Sequence, residues 1–482
     1  MEKRSTDEQN AEAKNRLARY AGILKKHPAY ADAITKVLAA ERPDTATSLY
    51  LYVMAPVLAE FISWVLQEAA LAGKKRLYFL SRDGYQMYLT ALQLAKLQQI
   101  SIECRYLYVS RYSMRLAQYH LDPDQGIDRI CTGGIDVTAE RILQRAALTP
   151  EESEEILKSA GWLDKRRDIL DYRKIQKLKE ILRRKTKLKI YLERHSLEEY
   201  ENAMGYLEQE GLLSEVPFAI VDSGWVGTLQ ESIQTLIQSR RSELKAEGYY
   251  FGMYELPEGT DPNSYHAWYF SHNKGLRRKA GFSNSLFETI CSADEGMTLC
   301  YRENNGRFLP MQDEKGNPNS VQLRKNLKVL RGFLEQLQTP LGTAVGSSET
   351  AAGTSGVLQG ARLVEKLFHL FMTSPANTEV LAYGDSLFSD DMLEGNRKKT
   401  AAELTEKEIK SQRFLSRLLI AAGIRKTVIR ESAWIEGSIV RCGKHVKCSL
   451  AHVKIYKYAV FGRKQARAMP NKIKGKDDKN IG

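Results

Sequence analysis

The sequence predicts an α/β protein: a Rossmann-like, mainly parallel sheet with a helical insertion and a mainly helical C-terminal region. Three observations predict it. Short apolar runs, each ending in a turn-forming loop, recur at 76–80, 105–109, 217–221 and 248–252. Stretches of helical periodicity follow them, the alternation expected of parallel strands joined by crossover helices. Residues 136–210 carry long helical periodicity with few turns, which reads as a helical insertion or subdomain.

Taken in order, residues 1–72 read as an N-terminal helical region. Its most apolar part, 49–72, is interrupted by Glu60 and Glu68 and reads as one or two buried helices rather than a membrane span. An α/β domain is placed at 73–255, with the helical insertion at 120–210. A mixed, mainly helical domain covers 256–460, and a basic tail covers 461–482. Within the third region, 339–358 is rich in Gly, Ser, Thr and Ala and reads as a hinge or flexible loop, and 379–383 reads as a short strand.

Composition narrows the class. The chain has 482 residues, of which 43% are hydrophobic and 27% charged, enough for a sizeable core and against global disorder. The first eight residues lack the apolar stretch of a secretory signal. Six scattered cysteines without a Cys-x-x-Cys pair do not make a disulfide scaffold, so a reducing, cytoplasmic compartment is expected. The formal net charge of +13 is concentrated: residues 161–190 hold twelve Lys/Arg against four Asp/Glu, and 441–482 hold twelve against two. Such segments suit a protein partner or an anionic membrane surface, which would place the chain at the inner face of the membrane. Nucleic acid is the weaker candidate, because the aromatics do not alternate with basic residues as a stacking platform requires.

Two segments carry the candidate chemistry. The first is Ser81-Arg82-Asp83-Gly84, directly after the 76–80 run and before a helical stretch. Ligands of open α/β sheets bind beyond the carboxyl ends of the strands, where helix amides favour anions. Gly84 allows a tight backbone path, Arg82 can hold a phosphate, and Asp83 can act as nucleophile, metal ligand or orienting base. Its bland alternative is that Asp83 caps the helix and Arg82 pairs with a surface carboxylate. The second segment is Asp222-Ser223-Gly224-Trp225-Val226-Gly227-Thr228. Gly224 and Gly227 would bring amides to a phosphate, and Ser223 and Thr228 would donate hydroxyls. Asp222 would hold a ribose hydroxyl or Mg²⁺, and Trp225 would stack on a ring; its bland alternative is packing in the core. Ser110 and Arg111, after the 105–109 run, would join them at the same sheet edge. The catalytic candidates are therefore Asp83 and Asp222, in a pocket of mixed charge suited to a phosphorylated sugar or nucleotide, with Mg²⁺ and no organic cofactor.

The segment 220–230 resembles the ribose-phosphate loop of type I phosphoribosyltransferases. In that likeness Asp222 takes the place of the second loop acid and Gly227 that of the loop glycine, while Val221 stands where the first acid would be. The resemblance implies Mg²⁺-assisted transfer of a ribosyl phosphate. The segment Val380-Leu-Ala-Tyr-Gly-Asp-Ser-Leu-Phe-Ser-Asp-Asp-Met392 resembles the last acidic motif of haloacid-dehalogenase-type phosphatases, which implies Mg²⁺ ligation by Asp385 and Asp390 and phosphohydrolase chemistry. The Asp-x-Asp pair that the superfamily carries at the end of its first strand is missing here, since Gly84 and Tyr85 follow Asp83, and no other Asp-x-Asp follows a clear strand. Across 76–391 the chain resembles an uncharacterised bacterial family labelled as predicted hydrolases of that superfamily and associated with surface-polysaccharide gene clusters. That resemblance implies a role in surface-glycan biosynthesis. Group transfer on a phosphorylated sugar or nucleotide is the leading expectation. The alternatives are a noncatalytic assembly protein for a glycan-assembly enzyme or anionic surface, and a phosphohydrolase.

Overall fold

The four short apolar runs at 76–80, 105–109, 217–221 and 248–252 enter one sheet, and the segment 265–270 does so too. The computed structural model describes residues 6–134, 136–337, 351–389, 392–393, 395, 397–422, 424 and 429–468. Its main sheet contains β1 (Arg76–Leu80), β2 (Glu103–Leu107), β3 (Phe218–Trp225), β4 (Glu247–Met253) and β5 (Tyr265–Phe270). The strand order is β2-β1-β3-β4-β5, and every pairing is parallel.

Side chains of a strand alternate between its two faces, and here both faces are buried. Leu77, Phe79, Val221 and Phe251 point into a core formed with the helices Thr45–Leu71 and Gly84–Leu97. Tyr78, Leu80, Ile220 and Tyr250 point the other way, against Met204 and Leu207 of the helix Thr186–Gln209 and Ile233 and Leu236 of the helix Thr228–Arg240. Continuous apolarity in the strands, rather than strict alternation, is what a sheet covered on both sides requires.

The apolar segment 49–72 lies in a single helix, Thr45–Leu71, started by Asp44, whose side chain accepts from Thr47 N at 2.9 Å. Among the described residues it is the one helix long and apolar enough to cross a membrane, and 83% of that stretch is buried within the fold. The N-terminal helices share their core with the sheet: Tyr20, Val53 and Phe61 belong to the same apolar cluster as Phe79 and Phe251. The boundary at 255 separates β4 from β5, which pair in one sheet, so the α/β unit extends at least to Phe270. β5, in the aromatic segment 265–270, lies beyond that boundary.

The insertion is a set of helices with its own apolar cluster, including Ile127, Ile142, Leu178 and Leu192. Its basic part folds as a helix, Tyr172–Arg183, that buries Ile175, Leu178 and Leu182 and turns its charges outward. In the C-terminal region the expected strand 379–383 is instead a helix, Asn377–Tyr383, because Glu379 accepts from Ala376 N at 2.8 Å and closes the first turn. Of the expected hinge 339–358, residues 339–350 lie outside the described residues, and the remainder belongs to the helix Ala351–Phe368. The basic tail begins within a helix, Val446–Ala468, and its residues 469–482 lie outside the described residues.

Candidate functional site

In a sheet of this order the chain leaves β1 toward β2 and returns on the other side to form β3. The reversal opens a crevice at the carboxyl ends of β1 and β3, the usual ligand position in doubly wound folds. Both candidate segments meet there. Ser81 N donates to Leu107 O at 2.9 Å, and Ser81 Oγ donates to Val109 O at 2.7 Å and accepts from Val109 N at 3.1 Å. Its hydroxyl thus stitches β1 to the segment after β2. The Ser81–Arg82 peptide is cis. Gly84 opens the helix Gly84–Leu97, where a Cβ would stand 3.0 Å from the Phe79 carbonyl carbon.

Asp83 does not cap that helix with its side chain. Its Oδ2 accepts from Ser223 Oγ at 2.7 Å, a bond between the ends of β1 and β3. The second segment is only partly a loop. β3 continues through Trp225, with Asp222 opposite Tyr250 and Gly224 opposite Gly252. Gly224 has φ +109°, which an L side chain rarely adopts. The helix Thr228–Arg240 then starts from Gly227 at φ +74°, where a Cβ would approach the Tyr265 ring to 2.5 Å.

These residues line one cavity of about 350 Å³. Ser81, Arg82, Asp83, Ser110 and Arg111 form one wall. Asp222, Ser223, Gly224, Trp225, Gly227 and Thr228 form the next. Gly84 shapes the turn without being part of the lining. Residues outside both motifs complete the enclosure, among them Tyr250 of β4, Glu288 and Thr289 of the helix Asn284–Ile290, Met297 and Thr298, the Asn317–Asn319 turn, and a segment containing Leu387, Phe388 and Arg397. Asn319 secures the last of these, donating to Leu387 O at 2.7 Å and accepting from Leu387 N at 2.9 Å.

Charge is the site's main feature. Burial pushes the Asp222 carboxyl up to about 7, and the neighbouring Asp83 pushes in the same direction. The backbone amides of Ser223 and Gly224 and the Arg111 guanidinium oppose them. Burial likewise pushes Glu288 up to about 8, helped by Asp83 and Asp222 and opposed by Arg111 and a hydrogen bond from Trp225 Nε1. Two carboxyls that change charge near neutrality therefore face one cavity, a pattern typical of proton-transfer sites. Arg111 acts on both through space and, among the described residues, forms no salt bridge of its own. Arg82 favours the charged form of the nearby Glu295.

Several expected roles change. Trp225 lines the cavity and is also packed against other aromatic rings. Its ring lies 5.1 Å from Phe282 and 5.9 Å from Phe287, among Tyr254 and Phe270, and its N–H is given to Glu288. Ser110 caps the short helix Arg111–Leu116 and donates to Thr298 O at 2.6 Å, so its hydroxyl, like that of Ser81, is engaged in structure. Asp385 is not part of the cavity lining. It is held by Arg441 and Lys399, each at 2.9 Å. Asp390 lies outside the described residues. Among the described residues no group of three His, Cys, Asp or Glu side chains lies close enough to hold a metal ion.

Glu288 is the functional candidate the motifs missed. Its signal was one carboxylate within the apolar run Ser285-Leu-Phe-Glu-Thr-Ile-Cys291, where a surface helix would place the charge outward and a buried one needs a reason for it. In comparisons with known proteins, no family model matches the chain, and no curated protein resembles it closely enough to count as a match.

Proposed function

We propose that the cavity between β1 and β3 binds a phosphorylated sugar or nucleotide and transfers a group by acid–base catalysis. The observation that carries this reading is the facing of Arg111, a cation without a carboxylate partner among the described residues, by Asp222, whose carboxyl is raised to about 7. The Arg111 guanidinium and the amides at the start of the 228–240 helix suit a phosphate. A carboxyl poised near neutrality suits the removal of a proton from an acceptor hydroxyl and its later return. Asp83 is assigned the job of keeping Asp222 basic, and Ser223 of fixing Asp83. Glu288, which would be protonated at neutral pH, can donate to a ligand oxygen without adding negative charge.

Mg²⁺ fits this donor set only as a guest shared with the ligand. Two carboxylates, Asp83 and Asp222, face one another where a proton or a cation would relieve their repulsion. Mg²⁺ commonly takes one or two protein carboxylates and completes its shell with water and phosphate oxygens. It would neutralise phosphate charge there. The resemblance to the surface-polysaccharide-associated family supports a sugar as the phosphorylated group.

Calorimetric titration with a panel of sugar phosphates and nucleoside diphosphate sugars, with and without Mg²⁺, tests the reading. With Mg²⁺ present, saturable binding should weaken at least tenfold in both Arg111→Ala and Asp222→Asn. Unchanged affinity in both folded variants removes the site. Turnover of a bound donor, followed by release of its phosphate or nucleotide, separates an enzyme from a binding module.

A further inference from the structure

Two adjoining clefts lie apart from the cavity just described and share none of its lining residues. They have Arg277, Glu365 and His369 in common. One, of about 260 Å³, adds Arg278 and Lys454. The other, of about 720 Å³, adds Arg19, Lys26, Arg362 and Lys366. Segments far apart in the chain converge here: the N-terminal helix and its following turn, the helix Leu276–Ala280, the helix Ala351–Phe368 with the π-helical turn His369–Thr373, and the helix Val446–Ala468.

The balance of charge is one-sided. Glu365 is the only carboxylate in the lining, and it is shared by Arg277 at 2.7 Å and Arg278 at 3.5 Å. Among the described residues, Arg19, Lys26, Arg362, Lys366 and Lys454 form no salt bridge. The field they set up acts on their neighbours. Burial and then Lys454 and Arg277 hold His369 below the ordinary histidine range, and burial and then Lys366 do the same to His27. A solvated face on a helix normally mixes signs. Here cations from several elements are gathered around concave surfaces, where low-dielectric walls focus their potential.

We propose that these joined clefts are a second anion site, each cleft taking one phosphate. The ligand class is a phosphate-bearing anion. It can be supplied by a soluble compound with two or more phosphates or by the phosphates of a lipid surface. This inference does not depend on the chemistry proposed between β1 and β3.

Its test uses the full chain and the double variant Arg362→Glu/Lys366→Glu, both exposed positions, with Lys26→Gln/Lys454→Gln as a milder second variant. One arm titrates inorganic tripolyphosphate calorimetrically. The other measures co-sedimentation with phosphatidylcholine vesicles with and without phosphatidylglycerol. The expected result is saturable, salt-sensitive binding in at least one arm, weakened at least tenfold in the charge-reversed variant and retained in Arg111→Ala. The arm that responds identifies the source of the phosphate. Absence of binding in both arms overturns the proposal. So does binding that both variants leave unchanged, or binding that is lost in Arg111→Ala and kept in Arg362→Glu/Lys366→Glu.

Discussion

Ser223 Oγ donates to Asp83 Oδ2 at 2.7 Å, joining the ends of β1 and β3 where the strand order of the sheet reverses. The two residues are 140 positions apart in sequence, with the whole helical insertion between them. A hydrogen bond to a carboxylate is worth roughly 1.5–3 kcal/mol. A double-mutant cycle on Ser223→Ala and Asp83→Ala, followed by urea unfolding, should show a coupling energy of about 1–3 kcal/mol. Strict additivity of the two substitutions would mean that the bond does not hold the crevice together.

Asp222 makes stability depend on pH in a definite direction. Its carboxyl is raised from 3.8 to about 7 in the folded protein, mainly by burial and then by Asp83. Between about pH 4 and 7 the folded state keeps a proton that the unfolded chain has released. Stability from this group is therefore full below pH 4 and lost as pH rises to about 7. Asp222→Asn carries no such proton and should gain on the wild type across that window. The gain should reach about 2–4 kcal/mol at pH 8, at the lower end because the carboxyl faces a cavity. Denaturation midpoints at pH 5 and pH 8 measure it, and a difference that stays constant with pH contradicts the assignment.

Ligand affinity should follow the same groups. As pH rises from about 6 to 9, Asp222 and Glu288, poised at about 7 and about 8, lose their protons and add negative charge to the cavity. A phosphorylated ligand without Mg²⁺ should then bind more weakly, by roughly tenfold or more for each proton lost when the charges lie within about 6 Å. Mg²⁺ should flatten the profile, and Glu288→Gln should remove its upper limb. The measurement is dissociation constant against pH. A flat profile for the wild type would falsify the proposed acid pair.

The sheet was legible because parallel strands buried on both faces are short, uninterrupted apolar runs, and 76–80 and 217–221 are of that kind. The apolar pattern 105–109 sets β2 two residues late because it runs past the end of the ladder at Leu107. The 379–383 segment shows the limit of such runs. Four apolar residues after Glu379 serve a strand or a buried helical turn equally well, and only the capping contact of Glu379 with Ala376 N separates them. At the site, Asp83, Arg111 and Asp222 were visible as charges beside strand ends. Glu288 was not, since its role arises from a helix brought against β3 by the aromatic packing of Trp225 on Phe282 and Phe287. Tertiary proximity of that kind leaves no local periodicity to read.

Gly224 should be the least replaceable position of the second motif. At φ +109° a side chain is strained whatever the space, and a Cβ would press into the carbonyl oxygen of Gly252 on β4. Gly224→Ala must shift β3 against β4 and with it the amide that bonds to Asp222. A loss of about 1–3 kcal/mol is expected from the backbone alone, more with the clash. Thermal unfolding reads the loss, and the pH dependence of stability should change with it, because the same amide stabilises the Asp222 carboxylate. A variant as stable as wild type would show that β3 does not hold this register.

Glu379 ties the N-terminal helix to the C-terminal region through a buried network. Its Oε1 accepts from Arg16 Nε and, at 2.7 Å, from Tyr20 Oη, while its Oε2 accepts from Ala376 N at 2.8 Å. Arg16 in turn donates to the carbonyls of Leu370 and Ser374, each at 2.7 Å. Removing one partner of such a pair leaves a desolvated charge, so Glu379→Ala should cost about 3–5 kcal/mol. Replacing both partners by apolar residues of similar size, as in Arg16→Met with Glu379→Leu, leaves no orphaned charge and should recover most of that loss. The order of unfolding midpoints should be wild type close to the double variant, with Glu379→Ala well below both. A double variant no better than Glu379→Ala would show that the hydrogen bonds to Tyr20 and Ala376, rather than the charge pair, hold these two helices together.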